Sequence, residues 1–97
     1  MGEASPSRRV RLARRAERRL RRLDTSQQRR VLQALNELER DPLPSGKRVK
    51  RLQASRRALY RLRVGNLRII YELTPDSVDV LGIVPRDELD RFLRSLE

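Results

Sequence analysis

The sequence has no cysteine, no histidine and no tryptophan, and its only aromatic residues are Tyr60, Tyr71 and Phe92. Without cysteine, neither a disulfide nor a thiolate metal site can staple the fold. Without histidine, the commonest general base and most zinc chemistry are excluded. An enzyme built on this chain has to work with arginine, lysine, tyrosine or carboxylates, and no cofactor or metal is expected. No apolar run is long enough to span a membrane or to act as a signal peptide. In the opening "MGEASP", Pro6 stands where the myristoylation pattern needs Ser or Thr. The expectation is a cytoplasmic chain with no membrane partner.

What the chain does have is positive charge. It carries 24 basic against 13 acidic residues, a net charge of +11, and all the basic residues but Lys47 and Lys50 are arginine. Such an excess implies a polyanionic partner, either nucleic acid or an acidic protein. The preference for Arg over Lys has a second reading in genomic base composition. At 97 residues with 37% apolar content, one domain with a modest core of Leu, Ile, Val and Ala is expected.

Residues 1–7 read as a disordered lead and residues 8–97 as the single domain. "RRVRLA", residues 8–13, alternates like a short strand. Ala13, Ala16, Leu20 and Leu23 then fall at spacings of three and four, one apolar helical stripe among arginines. Thr25 or Ser26 can cap a second helix running to about Arg40, with a stripe of Val31, Leu35 and Leu38 widened by Leu32 and Ala34. The short link between the stripes predicts an antiparallel helical hairpin. "DPLPSG" ends the second helix. Strands are predicted over residues 59–64, 67–73 and 78–84, and Asp87 can cap a last helix with Leu89, Phe92, Leu93 and Leu96 on its apolar face. The fold class is α+β: an antiparallel β-sheet with an N-terminal helical hairpin packed on it and a C-terminal helix, in the order β-α-α-β-β-β-α.

Gly65-Asn66 is a two-residue hairpin signal with glycine first, as a type II′ turn prefers. That turn sets Val64 opposite Leu67, Arg63 opposite Arg68, Leu62 opposite Ile69 and Tyr60 opposite Tyr71. The core face carries Tyr60, Leu62, Val64, Leu67, Ile69, Tyr71 and Leu73, so both tyrosines read as packing residues. Arg61, Arg63 and Arg68 share the other face, with Ile70 opposite Arg61. Directly opposed like charges destabilise a strand pair by roughly 0.2–1 kcal/mol. A solvated face tolerates that, because salt screens splayed side chains. A phosphate would relieve it, since arginine presents the planar fork that binds phosphate bidentately.

"ALYRLRVGNLRIIYEL", followed by "VDVLGIVPRDELDRFL" and preceded by "VKRLQAS" and a helical hairpin, resembles the RelE/ParE toxin superfamily of bacterial type II toxin–antitoxin systems. The resemblance covers nearly the whole chain after the first few residues, and the Tyr-Arg-x-Arg-x-Gly-x-x-Arg-x-x-Tyr core, residues 60–71, carries it. For the RelE-like branch it implies a toxin that inhibits translation by cleaving ribosome-bound messenger RNA. The RNA's own 2′-hydroxyl attacks the adjacent phosphate, without metal. The implied catalytic residues are Arg61 and Arg63 on the first hairpin strand, Arg68 on the second, and Arg86 after the last strand. Guanidiniums suit this chemistry, because they stabilise charge developing on phosphate oxygens without histidine or metal. They make poor general bases, so the acid or base comes from elsewhere. The implied partners are the ribosome, messenger RNA and a cognate acidic antitoxin whose segment covers the arginine face or displaces the final helix.

The chain departs from the family pattern in places. RelE-like enzymes place a tyrosine six residues after the last catalytic arginine, where Phe92 stands here. Phenylalanine can stack on an RNA base but has no hydroxyl, and Phe92 also fits the apolar stripe of the last helix. In "RLQAS", Gln53 and Ala54 replace a basic residue and glycine. Lys47, Arg48, Lys50 and Arg51 upstream can hold RNA phosphates or form an ordinary basic loop. Simple alternation from Val84 turns Arg86 toward the core face, and a bend at Pro85 is the expected remedy. Two further readings stand beside the nuclease: a ParE-like inhibitor that binds DNA gyrase without catalysis, and an RNA-binding member that has lost cleavage.

Overall fold

In a computed structural model describing residues 8–43, 48–52 and 57–96, the elements run in order β1 (Arg9–Leu12), α1 (Arg14–Arg22), α2 (Thr25–Arg40), β2 (Val49–Arg51), β3 (Leu59–Val64), β4 (Leu67–Leu73) and β5 (Ser77–Pro85). A 3-10 turn (Arg86–Glu88) and α3 (Leu89–Ser95) follow. The expected disordered lead at residues 1–7 lies outside the described residues, as do Lys47, Gln53 and Ala54.

The strands form one sheet in the order β1-β5-β4-β3-β2. The chain therefore leaves one edge after β1 and re-enters at the opposite edge as β2, and the two helices between them cross one face. Ala16 of α1 and Val31, Ala34, Leu35 and Leu38 of α2 bury there against Leu62, Ile69, Tyr71, Val78 and Val80. The expected α+β class is observed, with two additions. β2 is a strand where sequence suggested a basic loop; Val49 is its one buried residue, and Lys50 and Arg51 are charged and exposed. β1 runs parallel to β5, whereas every other pairing is antiparallel.

The hairpin pairs in the expected register, Arg63 opposite Arg68 and Tyr60 opposite Tyr71. Gly65 has φ +59° and Asn66 does not reach positive φ, which matches a type II′ turn and excludes type I′. Two local expectations need correction on α2. Its N-cap is Asp24, whose side chain accepts from the Gln27 amide at 2.8 Å, so Thr25 and Ser26 already lie inside the helix. The link from α1 is the two residues Leu23 and Asp24. Leu32 does not widen the buried stripe; it is 49% exposed, a helical step of about 100° away from Val31.

Both tyrosines face the core, their rings stacked 5.5 Å apart. The Tyr71 hydroxyl donates to the Pro42 carbonyl at 2.6 Å and so ties the segment after α2 to the middle of the sheet. Burial, more than the neighbouring Tyr60 and Asp41, pushes this hydroxyl up from its ordinary pKa, so it stays a donor. Tyr71→Phe leaves a buried carbonyl without its partner. The expected cost is about 1–3 kcal/mol in urea unfolding, and an unchanged midpoint would show the bond to be dispensable.

Candidate active site

The arginine face is built from two adjacent rows across the sheet. In one, Lys50, Arg61, Ile70 and Gly82 stand side by side on β2, β3, β4 and β5; in the next, Arg63, Arg68 and Val84 do. Arg86 joins them through a device that sequence did not reveal. On β5, Gly82 pairs with Ile70 but Val80 pairs with Tyr71, so Leu81 is an extra residue in the strand. This bulge reverses the alternation. Val78 and Val80 face the core, and after the bulge so do Ile83 and Pro85, which returns Val84 to the arginine face two residues before Arg86. The bend expected at Pro85 is not what turns it. The Arg86 amide also donates to the Asn66 carbonyl at 2.9 Å, fixing the end of β5 to the hairpin turn.

Arg61, Arg63, Arg68 and Arg86 line one cleft of about 470 Å³, with Asp87, Leu89 and Asp90 on its other wall. Arg68 is only 7% exposed. Its Nη1 donates to the Gly65 carbonyl at 3.0 Å and to the Leu67 carbonyl at 2.9 Å, so the turn holds this guanidinium in place. Burial lowers the Arg68 pKa first, and the charges of Arg63, Arg61 and Arg86 lower it further, so all three are electrostatic neighbours. Nη1 of Arg61 is buried with no hydrogen-bond acceptor. Among the described residues, no carboxylate comes within 4.0 Å of any of the four guanidiniums. The cleft thus gathers four guanidiniums with no paired carboxylate among the described residues.

The family model described as the ParE toxin of the type II toxin–antitoxin system, parDE, matches residues 10–89. The chain belongs to the RelE/ParE toxin family. Its structure is similar to an archaeal RelE–RelB complex from Pyrococcus horikoshii, at 30% identity and TM-score 0.72, covering 82% of this chain and 96% of that one. It is also similar to the RelBE2 toxin–antitoxin complex from Mycobacterium tuberculosis, at 24% identity and TM-score 0.70, covering 82% and 99%. The isolated RelE toxin of E. coli shares the fold at 13% identity and TM-score 0.71, covering 94% and 100%. Among curated protein sequences no match was found.

In this toxin the basic residues upstream of the hairpin do not act as one group. Lys50 stands next to Arg61 on the arginine face. Arg51, opposite Tyr60, lies over that ring at 6.0 Å, and Arg48 is held by Glu37 at 2.6 Å. Lys47 lies outside the described residues. Phe92 is 7% exposed and rests on Gly82, with the Arg15 guanidinium 4.9 Å from the ring centroid on α1's side. In this arrangement the ring packs α3 onto the arginine face. Gly82 was the available signal, since a glycine inside a strand marks close approach by another group.

The last helix also differs in its start. Asp87 does not cap it; Asp87 sits inside the 3-10 turn, and neither that turn nor α3 has a side-chain cap. Its carboxylate and that of Asp90 line the cleft instead. They are the carboxylates among its lining residues, and Phe92 offers neither a carboxylate nor a hydroxyl. Among the described residues, no three His, Cys, Asp or Glu side chains are grouped to hold a metal ion, and no helix is long and apolar enough to cross a membrane.

Proposed function

We propose that this toxin is a ribosome-dependent endoribonuclease that inhibits translation by cutting messenger RNA. The observation that carries the reading is the convergence of Arg61, Arg63, Arg68 and Arg86 on one cleft, with no carboxylate paired to them among the described residues. In the reaction, a ribose 2′-oxygen attacks the adjacent phosphorus as the bond to the 5′-oxygen breaks, leaving a 2′,3′-cyclic phosphate and a 5′-hydroxyl. Negative charge grows on the non-bridging and leaving oxygens. The guanidiniums are poised to meet it without reorganisation. The 2′-proton passes to Asp87, Asp90 or water, and the leaving 5′-oxygen takes a proton from water. The ribosome supplies the bound, extended message, and the site of action is the cytoplasm. A cognate antitoxin with an acidic segment would neutralise the cleft by occupying it.

A second reading is a gyrase inhibitor, favoured by one observation: the position where RelE-like enzymes carry a tyrosine holds a buried phenylalanine. One experiment separates the two. The toxin is induced briefly in bacteria without antitoxin, and messenger RNA 5′ ends are mapped beside Arg63→Ala and Arg86→Ala variants. New ends inside translated frames, lost in both variants, are expected. Growth arrest with intact messages and blocked DNA supercoiling would establish the gyrase reading instead.

A further inference from the structure

A second group of arginines lies outside the cleavage cleft. Arg15, Arg18, Arg19 and Arg22 recur on α1 at spacings of three and four, and so form one stripe about 10 Å long. Glu17, the acid of this helix, pairs with Arg21 on a different side. Among the described residues, the stripe itself has no carboxylate within 4.0 Å. Like charges three and four residues apart disfavour a helix, so the stripe works against α1's own stability when empty.

The stripe borders a groove of about 330 Å³ whose opposite wall is Phe92 and residues 82–84 of β5. β1 covers β5 only from Ser77 to Val80, so the β5 edge beyond is unpaired there. Arg15 forms the back of the groove, stacked on Phe92 and donating to the Ser95 hydroxyl at 3.3 Å. Arg18 and Arg22 are exposed. The groove adjoins the cleavage cleft: Val84 on its floor is the cross-strand partner of Arg68, and residues 86–92 supply a wall to each.

We propose that this groove is a second phosphate-backbone site, holding RNA that runs on from the strand in the cleavage cleft. The inference rests on RNA being the ligand of that cleft. Two features favour RNA backbone over an extended acidic peptide. The groove takes in only residues 82–84 of the uncovered β5 edge, fewer than the about 5–6 residues of an ordinary strand, so it offers a peptide little main-chain pairing. Four guanidinium forks in a row match repeated phosphates. With Phe92 already covered by Arg15, the contacts go to phosphates rather than bases, and binding here is independent of sequence.

The test measures binding of the full chain to a short uridine-rich single-stranded RNA across a salt series. An Arg18→Gln/Arg22→Gln variant is compared with Arg14→Gln/Arg21→Gln, which loses the same charge from α1 outside the groove. Two lost phosphate contacts should lower the slope of log K against log salt by about 1.4, and weaken binding about 25-fold at 0.1 M salt. The control pair should leave the slope unchanged, and Arg22→Gln alone should give about half the change. Equal slopes for both pairs would overturn the site and leave only a net-charge effect. Loss of polyglutamate binding with RNA binding intact would overturn it in favour of a protein groove. Cleavage is read separately: a toxin that makes no new message ends but shows the slope change keeps this groove and loses the nuclease reading.

Discussion

Arg63→Ala is expected to slow cleavage of ribosome-bound message by about 100- to 1,000-fold, the usual cost of one donor to a developing oxyanion. The same variant should leave the urea midpoint unchanged or slightly raised. Arg63 is exposed, has no carboxylate partner among the described residues, and faces Arg68 directly across the hairpin. Its removal relieves a like-charge pair worth about 0.2–1 kcal/mol, toward the low end because solvent screens it. Arg68→Ala should behave differently. Arg68 is buried and holds the Gly65 and Leu67 carbonyls, so its loss takes both rate and stability. Single-turnover cleavage on programmed ribosomes, paired with urea unfolding, reads both quantities. A parallel fall of rate and stability in Arg63→Ala would make this arginine a builder of the fold. An unchanged rate would remove it from the chemistry.

The pH profile adds a constraint. Although its pKa is lowered, Arg68 stays protonated throughout the working range, so it contributes no limb to the rate profile there.

The hairpin could be read from sequence because a two-residue turn permits one register, and one register assigns every side chain to a face. Three of the four cleft arginines followed from that alone. The fourth did not, since "VLGIVP" after Asp79 is a continuous apolar run with no alternation from which to read parity. The one cue to the bulge at Leu81 is Gly82 beside it, which marks a bulge or a close approach alike and does not set the parity. β2 escaped for a related reason: with three residues and one inward side chain, it has no period to detect. Asp24 is hard to single out as the cap because Thr25 and Ser26, which also suit that position, follow it directly. The second arginine groove was hidden in plain composition. The stripe on α1 was visible as charge, but nothing in the sequence says that β5 and Phe92 close the other side.

Gly82→Ala is expected to unseat α3. Gly82 needs no positive φ, so its requirement is space: a Cβ there would sit 2.3 Å from Cζ of Phe92 and 2.5 Å from Cε1. The ring has little room to yield, with Arg15 against it. Phe92 is the buried residue of α3, a seven-residue helix with no side-chain cap. So short a helix does not hold its shape alone and depends on this contact. Overpacking of this kind costs about 1–3 kcal/mol. Because Asp87, Leu89 and Asp90 line the arginine cleft, a lifted α3 should also lower the proposed cleavage rate, with all four arginines intact. Phe92→Leu removes the ring tip and creates a small void, so it too should destabilise by itself. Together the substitutions should fit, since the shorter side chain vacates the space the new methyl takes. The expected double-mutant cycle shows coupling of about 1 kcal/mol or more in unfolding, within the range for contacting residues, and partial recovery of cleavage. Strict additivity would mean that the sheet absorbs the methyl elsewhere, and that α3 is held on the arginine face by contacts other than this ring.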